Sequence, residues 1–164
     1  KQYTESRRMA RRLVVENPDR LAFRILAAEV ESAAEQWPEA LRIYGEAQKL
    51  FPGNHPLTVR HAETLLQTQQ PQEARRLLQA HLRHRDPQPE VYRLAATASG
   101  EAGYAAEAHS YLAESFYLSG HFGEALRQSE LAFQQPEMDR YLESRLVARK
   151  QAIEEEMRAS DTRE

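Results

Sequence analysis

Apolar side chains recur along most of the chain at intervals of three and four residues, the spacing that places them on one face of an α-helix. The stretch that begins at Leu21 is a clear case, because Leu21, Ile25 and Ala28 fall on one face. Proline, glycine and asparagine interrupt the pattern, as at Asn17-Pro18 and Pro52-Gly53-Asn54. Such residues favour turns and helix ends. The pattern therefore predicts an all-α chain of about nine helices.

A short motif repeats within this pattern. Glu39-Ala40 returns as Glu73-Ala74 and as Glu107-Ala108, two steps of 34 residues (74−40 and 108−74). A weaker copy, Glu5-Ser6, lies one step upstream (40−6). Helix–turn–helix units with this period resemble tetratricopeptide (TPR) repeats. The resemblance implies a right-handed superhelical solenoid of antiparallel helix pairs, in which the first (A) helix of each pair lines a concave groove.

The period is halved near the C-terminus. A further turn motif, Gly120 to Ala125, follows Ala108 after 17 residues (125−108). The helix over 105–118 must therefore act as the B helix of one pair and the A helix of the next. Apolar residues on more than one of its faces agree with packing on two sides.

We expect a single TPR domain over residues 1–158 that ends in a capping helix, because a terminal repeat needs a polar outer face. Its parts are predicted as a half repeat at 1–18, pairs at 20–53, 55–87 and 88–119, a pair at 104–136 that shares a helix, and the capping helix at 137–158. Residues 159–164 are predicted to form a frayed tail. Because the helical pattern is already under way at Lys1, we expect the sequence to be part of a longer protein.

Small residues recur at one position of the predicted B helices. Ala40, Ala74, Ala108 and Ala125 would lie where the two helices of a pair cross closely. A larger side chain there would separate the backbones, so Ala74→Leu is predicted to overpack the crossing.

Composition and charge narrow the possible partners. The protein is 41% hydrophobic and 29% charged, with 22 Lys and Arg against 25 Asp and Glu, a formal net charge of -3. This balance argues against a nucleic-acid partner, which a basic surface would attract. No apolar run approaches the roughly 18 residues of a membrane span. The absence of cysteine excludes disulfides and thiolate chemistry.

No catalytic or cofactor motif is present. The sequence lacks HExxH, GxSxG, a Walker A loop and GxGxxG, so neither a catalytic residue nor a cofactor site is assigned. His81 and His84, with Asp86 nearby, have helical spacing for two metal ligands but no evident third ligand. A solvent-facing pair near a helix C-terminus is the favoured interpretation, and no metal site is assigned.

Two clusters of charged residues are interpreted mainly as solvent-exposed helix faces. Glu154-Glu155-Glu156 points in different directions around a helix and predicts a solvated face. The cluster Arg7-Arg8 and Arg11-Arg12 could dock an acidic partner or phosphate. Its favoured interpretation is an exposed helix face, or a contact with a preceding domain.

The repeat register identifies a candidate protein-binding groove on the A helices. Its residues are of mixed polarity, with both charges and some aliphatic side chains. The predicted groove residues are Arg24, Ile25, Glu29, Ser32, Val59, Glu63, Leu66, Gln67, Arg93 and Thr97. They do not form the Lys/Asn/Arg clamp that binds chaperone C-termini in some TPR proteins. For any one of them, an equally good alternative is that it only keeps the groove soluble.

Three features resemble the C-terminal TPR domain of periplasmic zinc metallopeptidases of the BepA/YfgC type. They are Gln70-Pro-Gln-Glu-Ala74, the doubled helix that leads into the stretch from Tyr117 to Leu126, and the closing helix from Asp139 to Met157. The resemblance implies a periplasmic location and an upstream domain with HExxH and zinc, which would make the parent a zinc-dependent metalloendopeptidase. It also implies outer-membrane proteins or their assembly machinery as partners, besides the protein's own upstream peptidase domain.

The leading hypothesis is therefore a soluble, non-enzymatic TPR module that binds a protein or peptide through its groove. It would belong to a periplasmic metallopeptidase acting in outer-membrane protein quality control. The alternative is a stand-alone TPR scaffold or co-chaperone with no attached enzyme. An enzyme in its own right is disfavoured, because no motif supports it.

Overall fold

The structure, a computed structural model, describes residues 2–83 and 88–161. Within these ranges the protein forms nine α-helices and no strand, which confirms the predicted all-α fold class. The helices are α1 (Gln2–Glu16), α2 (Leu21–Ala33), α3 (Trp37–Leu50), α4 (His55–Gln67), α5 (Pro71–Leu82), α6 (Pro89–Glu101), α7 (Ala105–Leu118), α8 (Phe122–Phe133) and α9 (Arg140–Asp161).

The turns inside the helix pairs share one backbone geometry. Each contains a residue with positive φ: Glu35 (58°), Gln69 (58°), Gly103 (86°) and Gly120 (75°). The amide of the next residue donates to the carbonyl five residues before it, at 2.8–2.9 Å. The donor–acceptor pairs are Gln36–Glu31, Gln70–Leu65, Tyr104–Ser99 and His121–Phe116. This arrangement is a Schellman-type cap, which ends one helix and lets the backbone reverse.

The spacing of these caps matches the repeat. The residues with positive φ are separated by 34, 34 and 17 positions (69−35, 103−69 and 120−103). The period of the sequence motif and its half step are therefore present in the backbone itself. Consecutive helices of the predicted pairs pack against each other, as expected for antiparallel pairs joined by short turns.

Helix starts carry their own signals. Pro38, Pro56, Pro71 and Pro89 lie in the first turns of α3 to α6, where a missing N–H is tolerated. Asn54 caps α4, because its side-chain oxygen accepts the backbone N–H of Leu57 at 3.2 Å.

Asp139 caps α9 in the same way, and this moves the start of the last helix. Its Oδ1 accepts the backbone N–H of Leu142 at 2.7 Å, so α9 begins at Arg140 and not at the predicted Glu137. The carboxylate of Glu137 instead accepts the N–H of Ala106 in α7 at 2.7 Å, and this bond lowers the pKa of Glu137. The helix also continues to Asp161, so residues 159–161 are helical and not a frayed tail.

The protein divides into two compact units, residues 1–84 and 85–164. In the first unit, α1 to α5 pack in sequence and α2 also contacts α4. One core cluster of this unit contains Ala10, Ala27, Ala28, Ile43, Tyr44, Ala47 and Leu57. Ala40 and Ala74 have no exposed surface, as expected for small residues at close helix crossings.

The second unit contains α6 to α9. Helix α7 packs against α6 and α8 and also contacts α9. The predicted double role of α7 requires packing of this kind, with one neighbour before it and one after it in the sequence. Ala125 is fully buried, whereas Ala108 is half-buried. Ala108 faces Gly100 of α6, and a Cβ added at Gly100 would lie 3.7 Å from the Cβ of Ala108. The capping helix buries Leu146 and Ile153.

Parts of the predicted domain layout stay predictions. The helix bounds do not by themselves define a single domain over 1–158 or the limits of its repeats, and both stay predictions. The end of the predicted repeat at 55–87 and the last tail residues, 162–164, lie outside the described residues.

Candidate functional site

Apart from Arg24, seven of the predicted groove residues lie on α2 and α4 of the first unit. Three pairs of them occupy equivalent repeat positions 34 residues apart: Ile25 with Val59, Glu29 with Glu63, and Ser32 with Leu66. Gln67 lies beside Leu66 at the end of α4. All seven keep some exposed surface, and α2 and α4 are in contact. We call these seven residues, together with Arg60, the A-helix surface.

Arg60 joins the two equivalent glutamates of this surface. Its Nε lies 3.1 Å from Glu29 Oε1, and its Nη1 lies 3.1 Å from Glu63 Oε2. The side chains of Glu29, Arg60 and Glu63 are 41%, 54% and 44% exposed. The hydrogen bond and the charge of Glu63, followed by the charge of Glu29, raise the pKa of Arg60. The three groups form an accessible row of alternating charge across α2 and α4.

Sequence reasoning missed Arg60. A usable signal was present, because Arg60 stands three residues before Glu63, a spacing at which helix side chains meet. Its contact with Glu29 depends on the packing of α2 beside α4, which no local pattern specifies.

An aromatic pair lies between α3 and α4 in the same unit. The rings of Tyr44 and His61 stack with centroids 5.6 Å apart. Burial raises the pKa of Tyr44 to about 12 and lowers the pKa of His61 to about 4. Both side chains are therefore neutral near pH 7 and act as packing groups.

Arg24 lies elsewhere than the other α2 residues of the predicted groove. It lines a cleft of about 560 Å³ formed by α1, α2 and α3. The other lining residues are Arg7, Arg11, Val14, Val15, Ala27, Glu39, Arg42, Ile43 and Glu46. Arg24 Nε donates to the carbonyl of Pro18 at 3.0 Å. Glu29 follows Arg24 by five positions, about 140° of helix rotation, so the two side chains leave α2 in different directions.

A buried carboxylate ties α1 to α2 beside this cleft. Glu31 is 1% exposed, and its two oxygens lie 2.7 Å from Arg7 Nε and 2.9 Å from Arg11 Nη2. The other two arginines of the basic cluster pair within α1, Arg8 with Glu5 and Arg12 with Glu16. Half of the cluster thus holds the helix in place, and the other half forms the exposed face that was expected.

The remaining predicted groove residues, Arg93 and Thr97, belong to α6 in the second unit. Both are exposed. Arg93 Nη2 lies 3.5 Å from Glu90 Oε1, and the Thr97 hydroxyl donates to the carbonyl of Arg93 at 3.1 Å. These local contacts leave both side chains accessible on their helix.

The predicted histidine pair is only partly described. The prediction that His81 faces solvent is wrong. His81 is buried because α5 packs it against the start of α4, where its Nε2 lies 3.3 Å from Nδ1 of His55. His84 and Asp86 lie outside the described residues. Within residues 2–83 and 88–161, no three His, Cys, Asp or Glu side chains come together as metal ligands.

Comparisons with known proteins agree with this architecture. The family model for the tetratricopeptide repeat matches residues 31–98, from the end of α2 into α6. The comparison with curated proteins gives no match. No helix among the described residues is long and apolar enough to cross a membrane.

Three similar solved structures are distant in sequence. MamA from Desulfovibrio magneticus RS-1 is 12% identical, with a TM-score of 0.65 over 97% of this chain and 88% of that one. TTC0263, a thermophilic TPR protein of Thermus thermophilus, is 17% identical, with a TM-score of 0.53 over 90% of both chains. YrrB, a TPR protein with an unusual peptide-binding site, is 16% identical, with a TM-score of 0.53 over 77% of this chain and 74% of its own. At these identities the likeness shows the fold alone, the all-α TPR fold.

Proposed function

We propose that the protein is an interaction module that binds an extended segment of a partner protein along the A-helix surface. The observation that carries the proposal is the row Glu29–Arg60–Glu63, which crosses two adjacent helices and is open to solvent. Ile25, Val59 and Leu66 lie beside it with part of their apolar surface exposed.

This surface suits a peptide for two physical reasons. Exposed ion pairs contribute little to stability, so a ligand can replace Arg60's contacts with Glu29 and Glu63 at a small cost in free energy. The freed carboxylates can accept backbone N–H groups of a peptide, and the guanidinium can donate to its carbonyls. The neighbouring aliphatic side chains supply the apolar contact that gives affinity.

The test is selection of a phage-displayed random peptide library against the immobilised protein. Selected peptides are then titrated by fluorescence anisotropy. We expect Glu63→Arg to weaken binding by about tenfold, equivalent to about 1.4 kcal/mol. Glu130→Arg is the matched control, because Glu130 is also an exposed helical glutamate with a cationic neighbour, Lys150, at 3.9 Å.

Photo-crosslinking then locates the peptide. A photoreactive residue in place of Glu63 is expected to capture the selected peptide, and the same residue in place of Glu130 is not. Equal capture at both positions, or equal loss of affinity in both variants, would refute the A-helix surface as the binding site.

We further propose that the module serves as the non-catalytic recognition domain of a periplasmic zinc metallopeptidase. Support comes from the stretches Gln70–Ala74 and Tyr117–Leu126 and from the long closing helix α9. The test is zinc content and casein cleavage by the longer protein that contains this module, with the module alone assayed beside it. Zinc and cleavage in the longer protein alone would support the proposal, and neither in both would favour a stand-alone scaffold.

A further inference from the structure

We propose that the cleft between α1, α2 and α3 is a second binding site, which takes an acidic side chain flanked by aliphatic residues from a partner protein. It differs from the A-helix surface in position and in charge. The proposal depends on the positive charge of one wall and on the apolar surface beside it.

The charges of the cleft are unevenly distributed. On the wall formed by α1 and α2 are the guanidinium groups of Arg7, Arg11 and Arg24, and the carboxylate of Glu31 pairs with Arg7 and Arg11. On the α3 wall, Arg42 is held by two carboxylates, Glu39 at 2.8 Å and Glu46 at 2.6 Å. The formal charge is therefore +2 on the first wall (three arginines and Glu31) and −1 on the second (Arg42, Glu39 and Glu46). Glu39 also attracts Arg7 and Arg11 across the cleft, so, among the described residues, Arg24 is the cation of the first wall that remains without a carboxylate.

Arg24 is the group best placed to bind an anion. Within residues 2–83 and 88–161, it is the one arginine of the cleft with no carboxylate partner, and its bond to the carbonyl of Pro18 occupies only Nε. A guanidinium has five N–H donors, and its two terminal nitrogens can bind a carboxylate bidentately. Arg24 is also half-buried, so a carboxylate bound there is less screened than on an open surface.

The same wall has aliphatic surface for the flanking residues. Val15 is 79% exposed, and Val14 is half-buried at the edge of the core. Ile43 contributes from α3. A peptide that places a carboxylate on Arg24 can therefore rest an aliphatic side chain on Val14 and Val15.

The occupant is an internal acidic side chain and not the C-terminal carboxylate of a partner. Arg7, Arg11 and Arg42 each have a carboxylate partner already, which leaves one guanidinium for the ligand. One guanidinium matches the single carboxylate of an Asp or Glu residue, whereas the TPR clamp that holds a terminal carboxylate uses several converging side chains.

The experiment uses the blocked peptide Gly-Leu-Val-Glu-Val-Leu-Gly and follows backbone amide chemical shifts of the protein. We expect binding in the range of about 0.1–1 mM, with shifts in α1, α2 and α3 around Val15, Arg24 and Ile43. Arg24→Gln, and separately a peptide with Gln for Glu, should each weaken binding by about tenfold. Arg127→Gln is the matched control, because Arg127 is an exposed helical arginine of the second unit that belongs to neither proposed site.

Charge reversal makes the test specific. Arg24→Glu should bind the peptide with Lys in place of Glu more tightly than it binds the original peptide. Val15→Asp should weaken binding of the original peptide without loss of core packing, because Val15 is exposed.

Three results would overturn the proposal. One is the absence of shifts at millimolar peptide, and another is equal binding of the Gln peptide. The third is preferential binding of a free-acid peptide that lacks an acidic side chain. Circular dichroism and the melting temperature of Arg24→Gln confirm that the variant is folded.

Discussion

The two units meet the same structural requirements with different residues. In the first unit a buried glutamate, Glu31, holds α1 through two arginines, Arg7 and Arg11. In the second unit a buried glutamate, Glu114, holds α9 through Arg149 at 2.7 Å, its one ion-pair partner within residues 2–83 and 88–161. The Arg149 guanidinium also lies 4.2 Å from the ring centre of Tyr117, where a cation–π contact adds to the pair.

The turns inside the helix pairs also use different residues in the two units. The first unit places Glu35 and Gln69 at positive φ, and the second uses Gly103 and Gly120 at the equivalent points. L-residues with a Cβ are strained in this region, whereas glycine is not. The comparison teaches that the repeat specifies the backbone geometry of the turns, while the residues that supply it vary. The buried anchors Glu31 and Glu114 are 83 residues apart (114−31) and do not occupy equivalent repeat positions.

The largest loss of stability is expected where a buried glutamate has a single arginine partner. Arg149→Ala leaves Glu114, which is 7% exposed, buried without its cation, and should lower the free energy of unfolding by about 3 kcal/mol. Arg11→Ala should lower it by only about 1 kcal/mol, because Arg7 still pairs with Glu31 and the Arg11 side chain is 56% exposed. Urea unfolding measures both values, with the exposed Arg158→Ala as control. Equal losses in the first two variants would contradict the difference between the anchors.

Lowering the pH should destabilise the first unit through protonation of His61. Its pKa is about 4 in the fold and about 6.5 when unfolded, so protonation favours the unfolded state. The stabilisation is complete above about pH 6.5 and is lost as the pH falls toward 4. Because His61 is only partly desolvated, the expected loss is about 2 kcal/mol.

Hydrogen exchange between pH 7 and pH 4 tests this expectation. Protection of α3 and α4 amides should fall as the pH is lowered, and His61→Phe should reduce that fall. His121→Phe, at an exposed histidine of the second unit, is the control. An unchanged pH dependence in His61→Phe would show that the pKa of His61 is not the cause.

Helix crossings provide a third contrast. Ala74→Leu should lower the free energy of unfolding by about 1–3 kcal/mol, because Ala74 has no exposed surface and the extra carbons overpack the crossing. Ala108→Leu should have a smaller effect, since Ala108 is half-buried and faces Gly100. Melting temperatures compare the two, and an unchanged value for Ala74→Leu would contradict the assigned register.

The smallest effect is expected at the turns. Gln69→Gly should raise the free energy of unfolding by about 1 kcal/mol, because it relieves a residue with a Cβ at a φ of 58°. Gly103→Ala should lower it by about the same amount. Thermal unfolding should show a higher melting temperature for Gln69→Gly and a lower one for Gly103→Ala, which would confirm that both positions carry the same cap. Changes of the same sign in the two variants would contradict it.

The sequence by itself determined the helices, the period and the turns. Spacing of apolar residues, the 34-residue step of Glu-Ala and its half step near Gly120 are local signals, and each corresponds to a local backbone geometry. The same logic placed Ala40 and Ala74 at buried crossings. The start of the last helix was predicted less accurately, because the side chain of Asp139 caps α9 with a single hydrogen bond and so excludes Glu137 from the helix.

Only the tertiary structure decided which charged residues are anchors and which remain available for a ligand. Glu31 and Glu114 look like surface residues in the sequence, and Arg7, Arg11 and Arg149 carry no mark that pairs them with glutamates 20 to 35 positions away. Arg24 was assigned to the groove by register, yet its direction from α2 brings it to the cleft with α1 and α3. Long charged side chains reach different neighbours according to how helices pack, and that packing is a property of the whole unit and not of any one helix.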